Sequence, residues 1–441
     1  MDHLEYLKSV LDLHPELQYE ITGRHWSTEF LRFYHSQTNY NISKDNTTIA
    51  AEIYKGKRSF SFQLDNPARD KVDAAVKDAL EVIDKLPEDP DFVDLENDLT
   101  LAEPRRVNNN PEAIPLDKKT SILANVSAAA GMYDFDIFGT FICNHVSERL
   151  INSNGLDKHS ERSPIYLEVK AVHNKSQVTV LETFGGEDFG FFDEQAFSED
   201  LVQKIMYCSA EVVDVEPGYY DVVLAPRCLA EFIQYLAYGM SARALDQHSS
   251  WFEGKLGQKV FPEHITIVDD PSDPRMIHAS YGSNGHVYRF LPLVEQGVFR
   301  NFFCDNYFAH KTGLPKNGNQ GACLKIDPGH ATLEELIGSI KRGLYISSLH
   351  YMNFINPRET SLTGLTRDGT FLIENGRVTK VVNNLRFTER IERILNNVAD
   401  LEDHCATVPF SANYDSFDIE TVKAPHAHVR DFNITSSTRT I

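Results

Sequence analysis

The chain has 441 residues, 41% hydrophobic and 24% charged, which describes an ordinary globular protein too long for a single core. Its 64 acidic and 43 basic residues leave a formal charge of −21, and a field of that sign repels phosphate backbones, so nucleic acid is set aside as a partner. No run approaches the roughly 18 apolar residues of a membrane span, and the opening MDHLEYLKSV lacks the basic-then-apolar order of a signal peptide, so a cytoplasmic setting away from membranes is expected.

In chain order, Leu4, Leu7, Val10 and Leu11 have helical spacing and predict a helix over 3–13. Alternation at 29–34, 48–54 and 59–64 predicts a small antiparallel sheet. Asp65-Asn66-Pro67 reads as a cap and first-turn proline for an amphipathic helix running to about residue 86. The acidic, proline-containing stretch 87–116 is expected to be a surface connection that could subdivide this region. A helix over 118–130 and strands at 135–143, 165–172 and 177–183 follow, the last two joined by a turn at His173-Asn174-Lys175-Ser176.

Helical spacing returns over 193–213 and is broken by Glu216-Pro217-Gly218, where the main boundary is expected: an N-terminal α+β domain, 1–215, and a mainly β C-terminal domain, 216–441. Short strands are predicted at 219–225, 265–268, 286–290, 372–374 and 378–382, with Asn375-Gly376 as a hairpin turn between the last two. Helices are predicted at 333–341 and 388–398. No fixed-period repeat points to a solenoid or propeller. The fold class expected is α+β.

Between the strand at 219–225 and the following region, Leu229, Phe232, Ile233, Leu236, Ala237 and Met240 recur at intervals that place them on one side of a helix facing a core. Arg227, Glu231, Gln234 and Tyr238 lie on or near the other side. A single carboxylate there, Glu231, reads as a solvated charge, because general acid or base work needs a positioned partner.

This helix, Ser249-Ser250-Trp251-Phe252 with Gly254 and Gly257, the stretch from Tyr307-Phe308-Ala309 to Gly318-Asn319, Arg342-Gly343-Leu344-Tyr345-Ile346, and Ile373-Glu374-Asn375-Gly376 occur in an order that together resembles the TldD/PmbA family. Members were called modulators of DNA gyrase and are regarded as peptidase subunits. The TldD branch carries HExxxH on the equivalent helix. Counting back from Phe252, Gly254 and Gly257, the resemblance places its first histidine at Ile233, its glutamate at Gln234 and its second histidine at Tyr238. Ile233 offers no donor atom, Gln234 cannot accept a proton, and a phenol with a pKa near ~10 is a poor ligand. The tail over 413–441 also lacks the cysteine of that branch.

The resemblance therefore implies the TldE/PmbA branch: no catalytic residue, metal or cofactor in this chain, zinc in a TldD-like partner bearing HExxxH, a hetero-oligomer, and an unstructured peptide as substrate, held extended by β-addition. Two other readings are kept: a stand-alone homodimeric peptide-binding or scaffolding protein, and a hydrolase using an unseen site.

Other constellations carry less. The six cysteines form no CxxC pair and read as small buried apolar residues. His426-Ala427-His428 could put two imidazoles on one strand face but has no third ligand in sight, and an exposed strand face is expected. His264, His278 and His286 flank Asp269, Asp270 and Asp273 in what reads as an Asp/Pro turn. GLPKNGNQG over 313–321 lacks the GK[ST] ending of a phosphate loop and reads as a flexible or cavity-lining loop. No G-x-S-x-G elbow occurs.

Overall fold

A computed structural model describes residues 2–102, 114–208, 211–412 and 417–437. Its architecture is α+β: a sheet-and-helix N-terminal region is followed by a strand-rich C-terminal region. The first sheet is antiparallel throughout and uses only strands before residue 187. Its order is Arg58–Asp65, Gln37–Lys55, Gln18–Tyr34, Phe135–Asn152, Ile165–His173 and Thr179–Gly186, with Asp157–Arg162 also pairing with Phe135–Asn152.

Gln18–Tyr34, Gln37–Lys55 and Phe135–Asn152 are much longer than the sequence alternation predicts, whereas Arg58–Asp65, Ile165–His173 and Thr179–Gly186 lie within a few residues of the expected strands. Gln18–Tyr34 alternates buried and half-buried residues at its start, but His25, Trp26 and Ser27 in its middle break the apolar pattern; the ladders to both neighbours nevertheless run through them. Asp157–Arg162 escapes sequence reading altogether, because DKHSER has no apolar residue.

Helices Asp2–Leu11 and Arg69–Ile83 pack Leu4, Leu7, Val72 and Val76 onto Ile21, Ile49 and Ile53 of that sheet. The proposed cap at Asn66 is a correction: the helix begins later, at Arg69 with Ala68 at the N-cap position, and Asn66 instead accepts from the backbone N–H of Thr47 at 2.8 Å. Helices Leu116–Gly131 and Glu194–Tyr207 cover another part of the sheet, and their cluster extends to Tyr345, Phe371 and Ile373 of the C-terminal region. The Glu194–Tyr207 helix is capped by Asp193, whose side chain accepts from Gln195 N and Ala196 N, and it ends well before residue 213.

The C-terminal region holds two sheets. In one, Gly218–Leu224, Ala427–Ser437, Leu385–Arg390, Ser361–Glu374 and Arg342–Asn356 pair in succession, and the last returns to the first, closing a ring of five strands. Asn375 and Gly376 take the positive φ values, 52° and 74°, that a tight hairpin demands. The predicted strand at 286–290 is irregular chain with a single isolated bridge at Val287, and residues 388–390 belong to a strand rather than to the helix, which spans Ile391–Asn396. The other sheet has the order Val298–Phe299, Leu291–Glu295, Ile267–Asp269, Leu324–Ile326, Asp418–Ala424 and Ala406–Ala412.

The helix Pro226–Gly239 lies between these sheets. Its apolar side, read from sequence, is buried as expected: Phe232 sits 5.9 Å from Phe387 and 6.3 Å from Phe432, ring centre to ring centre. The connection 87–116 is more than a surface linker. Residues 103–113 lie outside the described residues, but Glu96 is only 6% exposed, and receives Lys316 Nζ at 2.5 Å, His286 Nε2 at 2.8 Å and Asn306 Nδ2 at 3.0 Å. The same strap accepts Asn152 Nδ2 at the Glu96 carbonyl, 2.7 Å away, tying the first sheet to loops of the C-terminal region.

Candidate functional site

Pro226 opens the cleft helix, where a missing N–H costs nothing, and Ser250 closes it by donating its hydroxyl to the Gly239 carbonyl at 2.5 Å. The helix is regular, so positions five apart diverge by about 140°. Ile233 points into the core and is 1% exposed, whereas Gln234 and Tyr238, one turn apart, face a cleft and Tyr238 is 48% exposed. The Tyr238 ring lies 5.8 Å from that of Phe354.

The cleft has a volume of about 960 Å³. Thr22, Glu148 and Arg162 of the first sheet form one wall, and residues 419–422 and the helix form another. Its loops are held in place by buried polar groups. Asp269, 1% exposed, accepts from Cys323 N at 2.8 Å, Gly321 N at 3.2 Å and Asn319 Nδ2 at 3.0 Å. A Cβ on Gly282 would stand 2.1 Å from the Gly318 carbonyl oxygen, so two backbones press together at the floor. The 313–321 stretch thus lines a cavity, as its composition suggests, through Asn319, Gln320 and Gly321.

Most charges along the wall are paired. Arg162 Nη2 is 2.9 Å from Glu148 Oε1, Arg24 Nε is 3.3 Å from the same oxygen, and Arg24 also bonds Asp418. Asp305 caps the helix Asn306–Thr312 by accepting from Phe308 N at 2.8 Å. The buried Tyr281 hydroxyl has no hydrogen-bond partner among the described residues. Glu420 is the contrast: Gln234 Nε2, at 3.5 Å, is its closest polar side-chain contact. Glu420 is exposed to the cleft, yet partial desolvation there moves its carboxyl upward, with Asp418 acting the same way and Arg162 opposing.

The strand Asp418–Ala424 pairs along its whole length with Ala406–Ala412, but on its other edge it pairs with Leu324–Ile326 at Lys423 alone. Ile277 N docks on the Thr421 hydroxyl at 2.9 Å. Apart from that contact, residues 418–422 present an edge without a strand partner among the described residues. Such an edge is a template for another extended chain.

A hydrolytic metal does not fit here. Ile233 carries no donor and is turned to the core, and Gln234 and Tyr238 provide an amide and a phenol where an imidazole and a carboxylate are needed. His278 also lines the cleft, but its Nδ1 and Nε2 face the carbonyl oxygens of Ala279 and Pro271 at 2.6 and 3.1 Å, which leaves neither free to ligate. Burial pushes the Cys304 thiol up to about 11, far from a thiolate nucleophile. Among the described residues, no group of three His, Cys, Asp or Glu side chains is arranged to hold a metal.

The other sequence candidates lie elsewhere. His426 and His428 are not an exposed pair: His426 Nδ1 is 2.7 Å from Glu402 and its Nε2 is 3.2 Å from the Tyr345 hydroxyl, while His428 is 7% exposed beside Ser339. His264 bonds the Val398 carbonyl at 3.1 Å, and His286 belongs to the Glu96 strap. Asp270 and Asp273 bond the backbone N–H groups of Ser272 and Arg275 at 3.0 Å, which is turn chemistry. Glu231 is a correction, since burial lifts its carboxyl to about 7 against the opposing pull of Arg227, and it is not a freely solvated charge. Glu148, Arg162, Tyr281 and Glu420 had no signal in the sequence, because only the fold brings their segments together.

Residues 217–436 match the family described as the PmbA/TldA metallopeptidase C-terminal domain. The chain belongs to the PmbA/TldD metallopeptidase family. A metalloprotease of Methanothermobacter thermautotrophicus is 23% identical over 312 residues, 66% of this chain and 68% of that one. A zinc metalloprotease TldD homolog of Saccharolobus solfataricus is 25% identical over 201 residues, 41% of this chain and 45% of that one. The fold is also that of TldE from Thermococcus kodakarensis, with a TM-score of 0.84 at 20% identity over 99% of both chains. A Thermotoga maritima protein described as a modulator of a DNA gyrase gives 0.84 at 15% identity, over 98% of this chain and 100% of that one. Both curated relatives are named as metalloproteases, one of them for zinc, whereas Ile233, Gln234 and Tyr238 on the cleft helix include no His, Cys, Asp or Glu.

Proposed function

We propose that this chain is the non-catalytic, TldE-like subunit of a cytoplasmic TldD/TldE-type metallopeptidase. Its cleft holds an unstructured peptide extended, and a partner bearing HExxxH supplies the zinc and cuts. The observation that carries this reading is the helix itself: a cleft suited to a peptide is lined at the decisive positions by Gln234 and Tyr238, with Ile233 turned to the core.

In this reading the chain binds and orients. The edge of 418–422 has no strand partner among the described residues, and in this reading the segment around Ile277 that covers it gives way to the backbone of a peptide of almost any sequence. The Tyr281 hydroxyl donates to a peptide carbonyl, and the rings of Tyr238, Tyr288 and Phe308 give flat surfaces for side chains. The proposed domains, 1–215 and 216–441, both contribute walls, so the cleft depends on their being held together.

The test is coexpression of the tagged chain with an HExxxH-bearing homologue from the same genome. The two should co-purify, and only the pair should cleave an unfolded peptide, in a chelator-sensitive way. A chain that repeatedly emerges as a homodimer and leaves the homologue's cleavage unchanged belongs to the scaffold reading instead. Cleavage by the isolated chain would overturn both.

A further inference from the structure

Glu420 is the one carboxylate lining the cleft that is committed to neither an ion pair nor a helix cap among the described residues. Glu148 is shared by Arg24 and Arg162, and Asp305 caps a helix. Glu420 has no cation within salt-bridge distance, and its contact with Gln234 is long at 3.5 Å. The cleft's other uncommitted charge, Arg243, sits exposed on the short helix Ala242–Asp246 and forms no ion pair with it.

Position adds to this. Glu420 is carried by the strand whose open edge runs along the cleft, so a peptide added to 418–422 passes directly beside its carboxylate. Gln234, at the helix position that the family resemblance pairs with a glutamate, approaches the same carboxylate from the neighbouring helix on the same wall. Glu420 is itself exposed in the cleft, so its carboxylate is open to an arriving cation, and no counter-ion among the described residues competes for it.

We propose that Glu420 is a specificity-determining residue that accepts an ammonium group of the bound peptide, either its free N-terminus or a lysine side chain. The proposal rests on the peptide-binding reading of the cleft. A bound ammonium donates to the Glu420 carboxylate while the peptide backbone pairs with the 418–422 edge, so charge sets register along a strand that is otherwise indifferent to sequence.

Fluorescence polarisation with the full-length chain tests it, using unstructured peptides labelled near the C-terminus. One has a free N-terminus and no lysine, one is acetylated without lysine, and one is acetylated with a single internal lysine. The wild-type chain should bind one or both ammonium-bearing peptides about tenfold more tightly than the uncharged one, the range of a charge-assisted hydrogen bond in a partly desolvated site. Whichever binds tightly identifies the source. Glu420→Gln should erase the difference while still binding the acetylated peptide, Glu420→Asp should restore part of it, and matching melting curves should establish that the variants fold. Equal binding of all three peptides by the wild type, or a preference that survives Glu420→Gln, overturns the inference and leaves the peptide reading intact. No binding of any peptide removes that reading itself, and the inference with it.

Discussion

At the scale of single residues, the angle between successive helix positions decides what positions 233 and 238 can do. Five residues on a regular helix turn a side chain by about 140°. Here that rotation puts Ile233 among apolar neighbours and Tyr238 at the cleft wall. Replacing the three residues by those of the related motif, Ile233→His, Gln234→Glu and Tyr238→His, should therefore fail to create a zinc site. Elemental analysis after dialysis should find well under one zinc per chain, and thermal denaturation should show destabilisation of about 1–3 kcal/mol from an imidazole forced into the core. One tightly held zinc per triple variant would contradict the account. The sequence made the side-chain inventory legible, since ligands can be counted without coordinates. It left Glu420 invisible, because the significance of that carboxylate comes from cations that are paired elsewhere, on strands hundreds of positions away.

At the scale of elements, the strap around Glu96 does more than its composition suggests. Burial alone would raise this carboxyl, but Lys316, Asn306, the Asn97 N–H and His286 together hold it down to about 2. A depressed carboxyl contributes stability that is present above its ordinary value of 4.5 and is lost as pH falls from there towards 2. Glu96→Gln should lower stability at pH 7 by about 2 kcal/mol, a figure kept modest because Lys316 is half in solvent. Urea unfolding should also show a weaker loss of stability in the variant than in the wild type between pH 5 and 3. Equal acid sensitivity would remove the strap from the list of pH-linked contacts. Helices with strong apolar periodicity, such as Asp2–Leu11 and Pro226–Gly239, were readable in advance. Glu96 was not, because an acidic residue between prolines looks solvated until its partners, about two hundred positions later in the chain, are placed beside it.

At the scale of the whole molecule, two raised carboxyls reverse that pH dependence at the other end of the range. Burial lifts Glu20 to about 7, helped by Glu52 directly across the ladder and by Glu96, and burial lifts Glu231 to a similar value. The folded state then holds protons that the unfolded chain releases, so stability falls as pH rises from about 4.5 to 7. Combined with the strap, stability should peak in mildly acidic solution. The double variant Glu20→Gln and Glu231→Gln should flatten the decline between pH 5 and 8 and gain on the order of 1–2 kcal/mol at pH 8, measured by urea midpoints. An unchanged slope would mean that both groups already ionise freely. The α+β class and the family were legible because long amphipathic helices and a scatter of short motifs survive one-dimensional reading. The three-sheet arrangement was not, since pairing partners across the C-terminal region are joined by no local pattern.

The five-strand ring has a consequence for how the polypeptide reaches this state. Its earliest strand, Gly218–Leu224, lies beside Ala427–Ser437, the last of the five in chain order. The first sheet draws only on earlier sequence and can assemble during synthesis, but the ring must remain open, with unpaired backbone and apolar surface showing, until Ala427–Ser437 has been made. A chaperone that shields that half-built surface would raise the yield of native chain far more than it would raise native stability.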